Sequence, residues 1–235
     1  MRKISIVLLF ALYGCATAQV SIAPDKAADI VRSLTNEERF FKLSMYGTPF
    51  FGDTTKKLLS DVPPELVRFL NEPDGTPATP GGIERIFPAG TAVRIRKIEF
   101  PSSRTMAERV LYTPRTLVWL YLEVETTSPG SPPSILVLRP GLKSEADVRA
   151  EIDRFLTADR LSIRLDDFSG FVREAIVKKQ AVTGMTPTAL EMAWGYPELK
   201  RIELEAERRK ETWHWADSKR TATLIDGRLT ETSSK

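Results

Sequence analysis

The residues able to do chemistry are few and scattered. His214 is the only histidine of the 235-residue chain and Cys15 its only cysteine. His214 stands between Trp213 and Trp215, so on an alternating strand it points away from both. If the tryptophans face a core, the imidazole is an exposed strand histidine, a reading that outweighs a catalytic or pH-sensing one. A histidine-based metal site would need ligands the sequence does not hold, and there is no H-E-x-x-H, G-x-S-x-G or P-loop pattern. Asp166 and Asp167 look like a carboxylate pair. Neighbours on a strand face opposite ways, however, and at a helix start they would only favour its dipole. The expectation is a protein that is not an enzyme, with no cofactor and no metal.

Cys15 carries a different chemistry. Arg2 and Lys3 precede an apolar run, Ile4 to Leu12, too short to cross a bilayer as a helix. This is the pattern of a bacterial export signal. Leu12-Tyr13-Gly14-Cys15 resembles a lipobox, in which Cys15 would become the lipidated first residue; Tyr13 departs from the small residue usual there. Ala16-Thr17-Ala18 offers a competing A-x-A cleavage site that would leave Gln19 first. One cut implies a lipid-anchored protein of the outer membrane facing the periplasm, the other a soluble periplasmic or secreted one. With Cys15 lipidated, no cysteine remains for a disulfide, so the core must hold by packing alone. Taking Arg2 and Lys3 from the 34 basic residues leaves 32 against 31 acidic, which removes the case for nucleic-acid binding.

These features must sit on a larger frame. Residues 1–14 read as the signal and 15–26 as a tether. Residues 27–82 read as a helical and loop region, with helices over 27–43, 54–59 and 64–70 and breaks at Gly47, Pro49 and Gly52. Residues 83–167 read as a small antiparallel sheet with one helix. Val93 and Ile95 alternate with Arg94 and Arg96; the alternation slips at Lys97, which predicts a bulge. Trp119 and Tyr121 lie in a strand apolar on both faces, a sheet core rather than the lining of a ligand cleft. Ser144 and Asp147 predict a capping box before the stripe Val148, Ile152, Phe155 and Leu156.

Residues 168–235 read as a second unit of two helices and three antiparallel strands, giving an α+β fold class overall. Phe171, Ile176 and Val177 are the apolar residues of its first helix. Thr186 caps the second, Pro187 takes its first position, Leu190 and Trp194 face inward, and Gly195 supplies the exit. "EAERRKE" reads as a solvated hairpin tip, and Asp226-Gly227 as a turn breaking the last strand.

This order resembles the SmpA/OmlA module, or BamE-like domain, of bacterial outer-membrane lipoproteins. The resemblance rests on Gly184, Met185, Thr186, Pro187, Leu190, Trp194, Gly195 and Pro197, on Trp213 and Trp215, and on Asp226 and Gly227. It covers about a quarter of the chain, and these residues have structural roles in the family. It implies a non-catalytic scaffold in envelope assembly or integrity, held to the membrane by a lipid anchor and working through a protein partner. The alternative is a ligand-binding protein or enzyme with its site in residues 83–165.

Overall fold

The structure is a computed structural model that describes residues 20–128, 130–205, 207–215 and 218–234. Cys15 and the export signal lie outside the described residues. The chain is α+β: an eight-stranded mixed sheet with helices, then two helices on a separate four-stranded antiparallel sheet.

The first unit comprises α1 (Pro24–Leu34), β1 (Glu38–Phe41), β2 (Met45–Phe50), β3 (Asp53–Ser60), β4 (Arg85–Phe87), β5 (Ala92–Glu99), α2 (Ser103–Glu108), β6 (Trp119–Val124), β7 (Ser134–Val137), α3 (Glu145–Phe155) and β8 (Leu156–Thr157). Its strand order is β4-β2-β3-β7-β6-β5-β1-β8. Only the central pair, β3 with β7, is parallel. Helices α1 and α3 cover one face, over Val93, Ile95, Leu120, Leu122 and Leu136. The other face is covered at one end, where Val67 and Leu117 pack on Phe50, Leu58, Trp119, Ile135 and Val137.

The capping box forms as predicted: the Asp147 amide donates to Ser144 Oγ at 3.1 Å, and the Ser144 amide donates to Asp147 Oδ2 at 3.0 Å. The bulge forms too, with the β5–β6 register shifting between Ile95 and Lys97.

The reading of residues 27–82 needs correction: the helix expected over 27–43 ends at Leu34, and Glu38–Phe41 form β1. Residues 54–59 are not helical but lie in β3, where Leu58 and Leu59 are both buried. Cover on both faces at that point removes the alternation that marks a strand. The breakers Gly47 and Pro49 sit inside β2. A Cβ on Gly47 would lie 2.8 Å from the Phe87 ring, so close packing is what requires glycine there. Pro49 lies past the end of β4, where no neighbouring strand calls for its missing N–H. The expected helix over 64–70 is a single 3₁₀ turn, Pro64–Leu66. The 83–167 sheet is therefore not a separate antiparallel unit, because β1, β2 and β3 complete it. The expected tether is shorter than 15–26: Val20 is buried, the Ser21 amide donates to Leu142 O at 3.1 Å, and α1 starts at Pro24.

The second unit comprises α4 (Gly170–Val177), α5 (Pro187–Trp194), β9 (Leu199–Glu205), β10 (Arg208–Trp215), β11 (Arg220–Ile225) and β12 (Arg228–Ser234). Its order is β12-β11-β10-β9, four strands rather than three. The difference lies at Asp226 and Gly227, both at positive φ (49° and 72°). That conformation makes a tight hairpin between two strands instead of a break within one. Of the apolar residues of α4, Ile176 is buried, with Ala175 beside it, while Phe171 is exposed.

Candidate functional site

The motif residues meet in one core. Thr186 Oγ1 accepts from the Ala189 amide at 3.2 Å, and Pro187 opens α5. Trp194 meets Trp215 edge-to-face at 5.5 Å, and Trp213 lies 6.1 Å from Trp215. Met185, Leu190, Ala222, Leu224 and Leu229 fill the space around them. Gly184 and Met185 bond to β12 through the backbone of Leu229. Pro197 lies in the link from α5 to β9, partly buried. His214 is on the opposite sheet face, as its spacing requires, but is half-buried, with Nδ1 3.0 Å from Ser218 Oγ. Glu211, read as part of a solvated tip, is buried; it accepts from Trp213 Nε1 at 3.0 Å and pairs with Arg209 at 3.1 Å. Asp166 and Asp167 do not act as a pair: Asp166 binds Arg173 at 2.9 Å and Asp167 binds Arg164 at 2.5 Å.

The strongest electrostatic feature joins the two units, at residues that carry no sequence motif. The chain turns after α4 with Lys179 at φ 55°, which sends its side chain toward the large sheet. Lys179 is 3% exposed. Its Nζ donates to Ser44 O at 2.6 Å and lies 4.7 Å from the centre of the Tyr46 ring. Ser44 is tied to both helices: its amide donates to Met192 O at 2.8 Å and its hydroxyl to Ile176 O at 2.8 Å, while the Ala89 amide donates to that hydroxyl at 3.1 Å.

Burial pushes the Lys179 ammonium down to about 7, against the pull of Asp61 and with a further push from the Arg220 charge. Part of Asp61 reaches the surface, but its carboxylate is walled in against Gly195 and accepts from the Tyr196 amide. Burial raises the Asp61 carboxyl, and the charges of Lys179 and Arg154 oppose the rise. A Cβ at Gly195 would stand 2.5 Å from Asp61 Oδ2, so this glycine serves the joint as well as the helix exit. Arg220 lies 3.5 Å above the Trp194 ring and bonds the Tyr46 side chain.

An amine near neutrality beside a carboxylate is a set that enzymes use for proton transfer or imine chemistry. Here the amine donates to a backbone carbonyl and is shut in by packing, so the cluster ties the two units together.

A second buried cation pins the covered end of the large sheet's other face. Arg109 stacks 3.8 Å over Trp119. Its Nε donates to Glu99 Oε1 at 2.8 Å, and its Nη1 donates to the carbonyls of Arg115 and Leu117 at 2.6 and 2.8 Å. Trp119 is therefore core. Tyr121 is half-buried, its hydroxyl pushed up to about 12 by burial and by the Glu99 charge. Tyr121 edges an open hollow of about 760 Å³, together with Arg94, Arg96, Glu38 and Glu123. The two arginines are matched by acids: Arg94 stands 3.9 Å from Glu38, and Arg96 is bonded to Glu123. Among the described residues no cluster of His, Cys, Asp and Glu could hold a metal ion.

The least enclosed part of the second unit is β9. It is an edge strand whose residues from Leu199 to Leu204 are all exposed, with Leu199 at 51%, Ile202 at 55% and Leu204 at 83%.

No family model, no curated protein and no solved structure matches the chain.

Proposed function

We propose that the protein is a non-catalytic interaction protein of the bacterial envelope, lipid-anchored through Cys15. In this reading its two units act as one platform that presents the bare edge of the second sheet. The observation that carries the reading is the contrast within that second unit. Every aromatic of its motif is packed away, while three large apolar side chains stand exposed on one edge strand. Exposed apolar side chains grouped on one element mark a contact surface. Unpaired strand edges are a recurrent place for protein partners to add.

The N-terminal sequence supports the address, since the apolar run ends close to Cys15. The chain docks onto the large sheet from Val20 onward. Five peptide units from Cys15 to Val20 span at most about 18 Å, so an anchor at Cys15 would hold the platform close to the bilayer.

The test is complementation joined to fractionation. Deleting the gene should make cells leaky to bulky antibiotics, and the wild-type chain should restore the barrier. Cys15→Ala should appear in the soluble fraction, lose palmitate labelling and fail to restore it. A soluble wild-type protein beginning at Gln19, or full rescue by Cys15→Ala, would overturn the reading. A ligand site in the hollow by Tyr121 is the second reading. Its size favours it, but the pairing of both arginines with acids leaves the hollow without a strong charge to recruit an ion.

A further inference from the structure

Charges on an edge strand ordinarily keep other strands away. Those on β9 are arranged differently. Lys200 and Arg201 precede Ile202, and Glu203 and Leu204 follow it. Strand β9 pairs only with β10, with Lys200 opposite Trp213 and Ile202 opposite Glu211. Lys200, Ile202 and Leu204 therefore share the helix-covered face of the sheet, while Arg201 and Glu203 share the other.

Consider two copies brought edge to edge by a two-fold axis perpendicular to the sheet. Residues of like parity then meet on the same face. With the axis at Ile202, Arg201 of each copy stands opposite Glu203 of the other, Ile202 meets Ile202, and Leu204 meets Lys200. The Lys200 ammonium already lies 3.9 Å from the Trp213 ring, bonded to Glu191 at 2.6 Å. An incoming Leu204 would thus land on an aliphatic stem that is held in place. Moving the axis by one residue sets Arg201 against Arg201 or Glu203 against Glu203, and like charges directly opposite are unfavourable. An axis lying in the plane of the sheet would put the exposed Ile202 and Leu204 of the two copies on opposite faces.

We infer that β9 is a self-association edge, at which a second copy of this chain pairs antiparallel about Ile202 to make one continuous eight-stranded sheet. The inference concerns the folded chain itself and does not depend on the lipid anchor or on the envelope role.

The test is sedimentation of the purified chain in a Cys15→Ser background, from about 1 to 200 µM, the window in which a small interface reports. The starting chain should pass from monomer to dimer mass. Arg201→Glu and Glu203→Arg should each remain monomeric where the starting chain is dimeric. Mixed in equal amounts they should form a heterodimer, because each supplies the charge the other lacks. Ile202→Cys, then the only cysteine, should oxidise to a crosslinked dimer. The substituted side chains are exposed, and circular dichroism checks that each variant folds. A chain that stays monomeric throughout, dimers in either single-charge variant, or a mixture that fails to associate would each overturn the inference. So would a monomer that binds only a different protein at β9.

Discussion

The two sheets of this protein are built in opposite ways. The eight-stranded sheet closes through distant pairings: β3 beside β7, β1 beside β5 and β8. One of its faces carries a packed core along its length, and the other carries a second core at one end. The four-stranded sheet is a plain meander, each strand pairing with its neighbour in sequence, with one face covered by α4 and α5 and an edge left bare. The first arrangement spends its surface on stability. The second leaves one edge bare, and the joint at Ser44, Lys179 and Asp61 ties it to the first.

The largest expected effect attacks the smaller sheet's only cover. Trp194→Ala removes the ring between Trp215 and Arg220, and should cost about 3 to 5 kcal/mol in urea melts of the whole chain. Arg109→Ala is the corresponding cut in the larger sheet. It leaves Glu99 with Lys97 as its remaining cation and strips the carbonyls of Glu99, Arg115 and Leu117, for a loss of about 3 kcal/mol by the same measurement. Next comes Gly195→Ala, which combines φ 86° and ψ 179° with a Cβ against the Asp61 carboxylate; about 2 to 3 kcal/mol should be lost. If Gly195→Ala is silent, the joint does not hold the units together.

The same joint sharpens the comparison through pH. Lys179 titrates at about 7 when folded and near 10.5 when unfolded. Between those values the unfolded chain binds more protons, so stability rises with pH. From pH 7.5 to 9 the wild type should gain on the order of 1 kcal/mol, and Lys179→Met should lose that slope. Asp61 acts with the opposite sign at lower pH: its raised folded value means stability falls as pH climbs above the usual carboxylate range. The smallest effect belongs to His214→Ala, on the uncovered face, at under about 0.5 kcal/mol.

What could be read in the sequence follows the same division. The capping box at Ser144, the bulge after Ile95, and the Thr186-Pro187 and Gly195 ends of α5 are set by residues close in sequence, and all were legible. The inward facing of Leu190 and Trp194 was legible from their spacing, four residues apart on one helix. Strands β2 and β3 were not, because adjacent Leu58 and Leu59 are buried on opposite faces and Gly47 and Pro49 answer to distant packing. The Asp226-Gly227 turn was visible, but whether it split one strand or joined two depended on pairing with β11. The joint left almost no local trace. Lys179 sits in a run that looks solvated, and Ser44 and Asp61 are unremarkable until the units meet. Only Gly195 carried a signal, and its role as a helix exit concealed the second one.

The most direct measurement is hydrogen exchange along the whole chain as urea is raised. If the joint makes one body of the two units, slow amides of β7 (Ser134–Val137) and β10 (Arg208–Trp215) should converge on the same opening free energy, with β9 exchanging faster than either at low protein concentration. Opening of β10 well below the free energy at which β7 opens would contradict that account, and would make the second sheet a separate domain on a loose link.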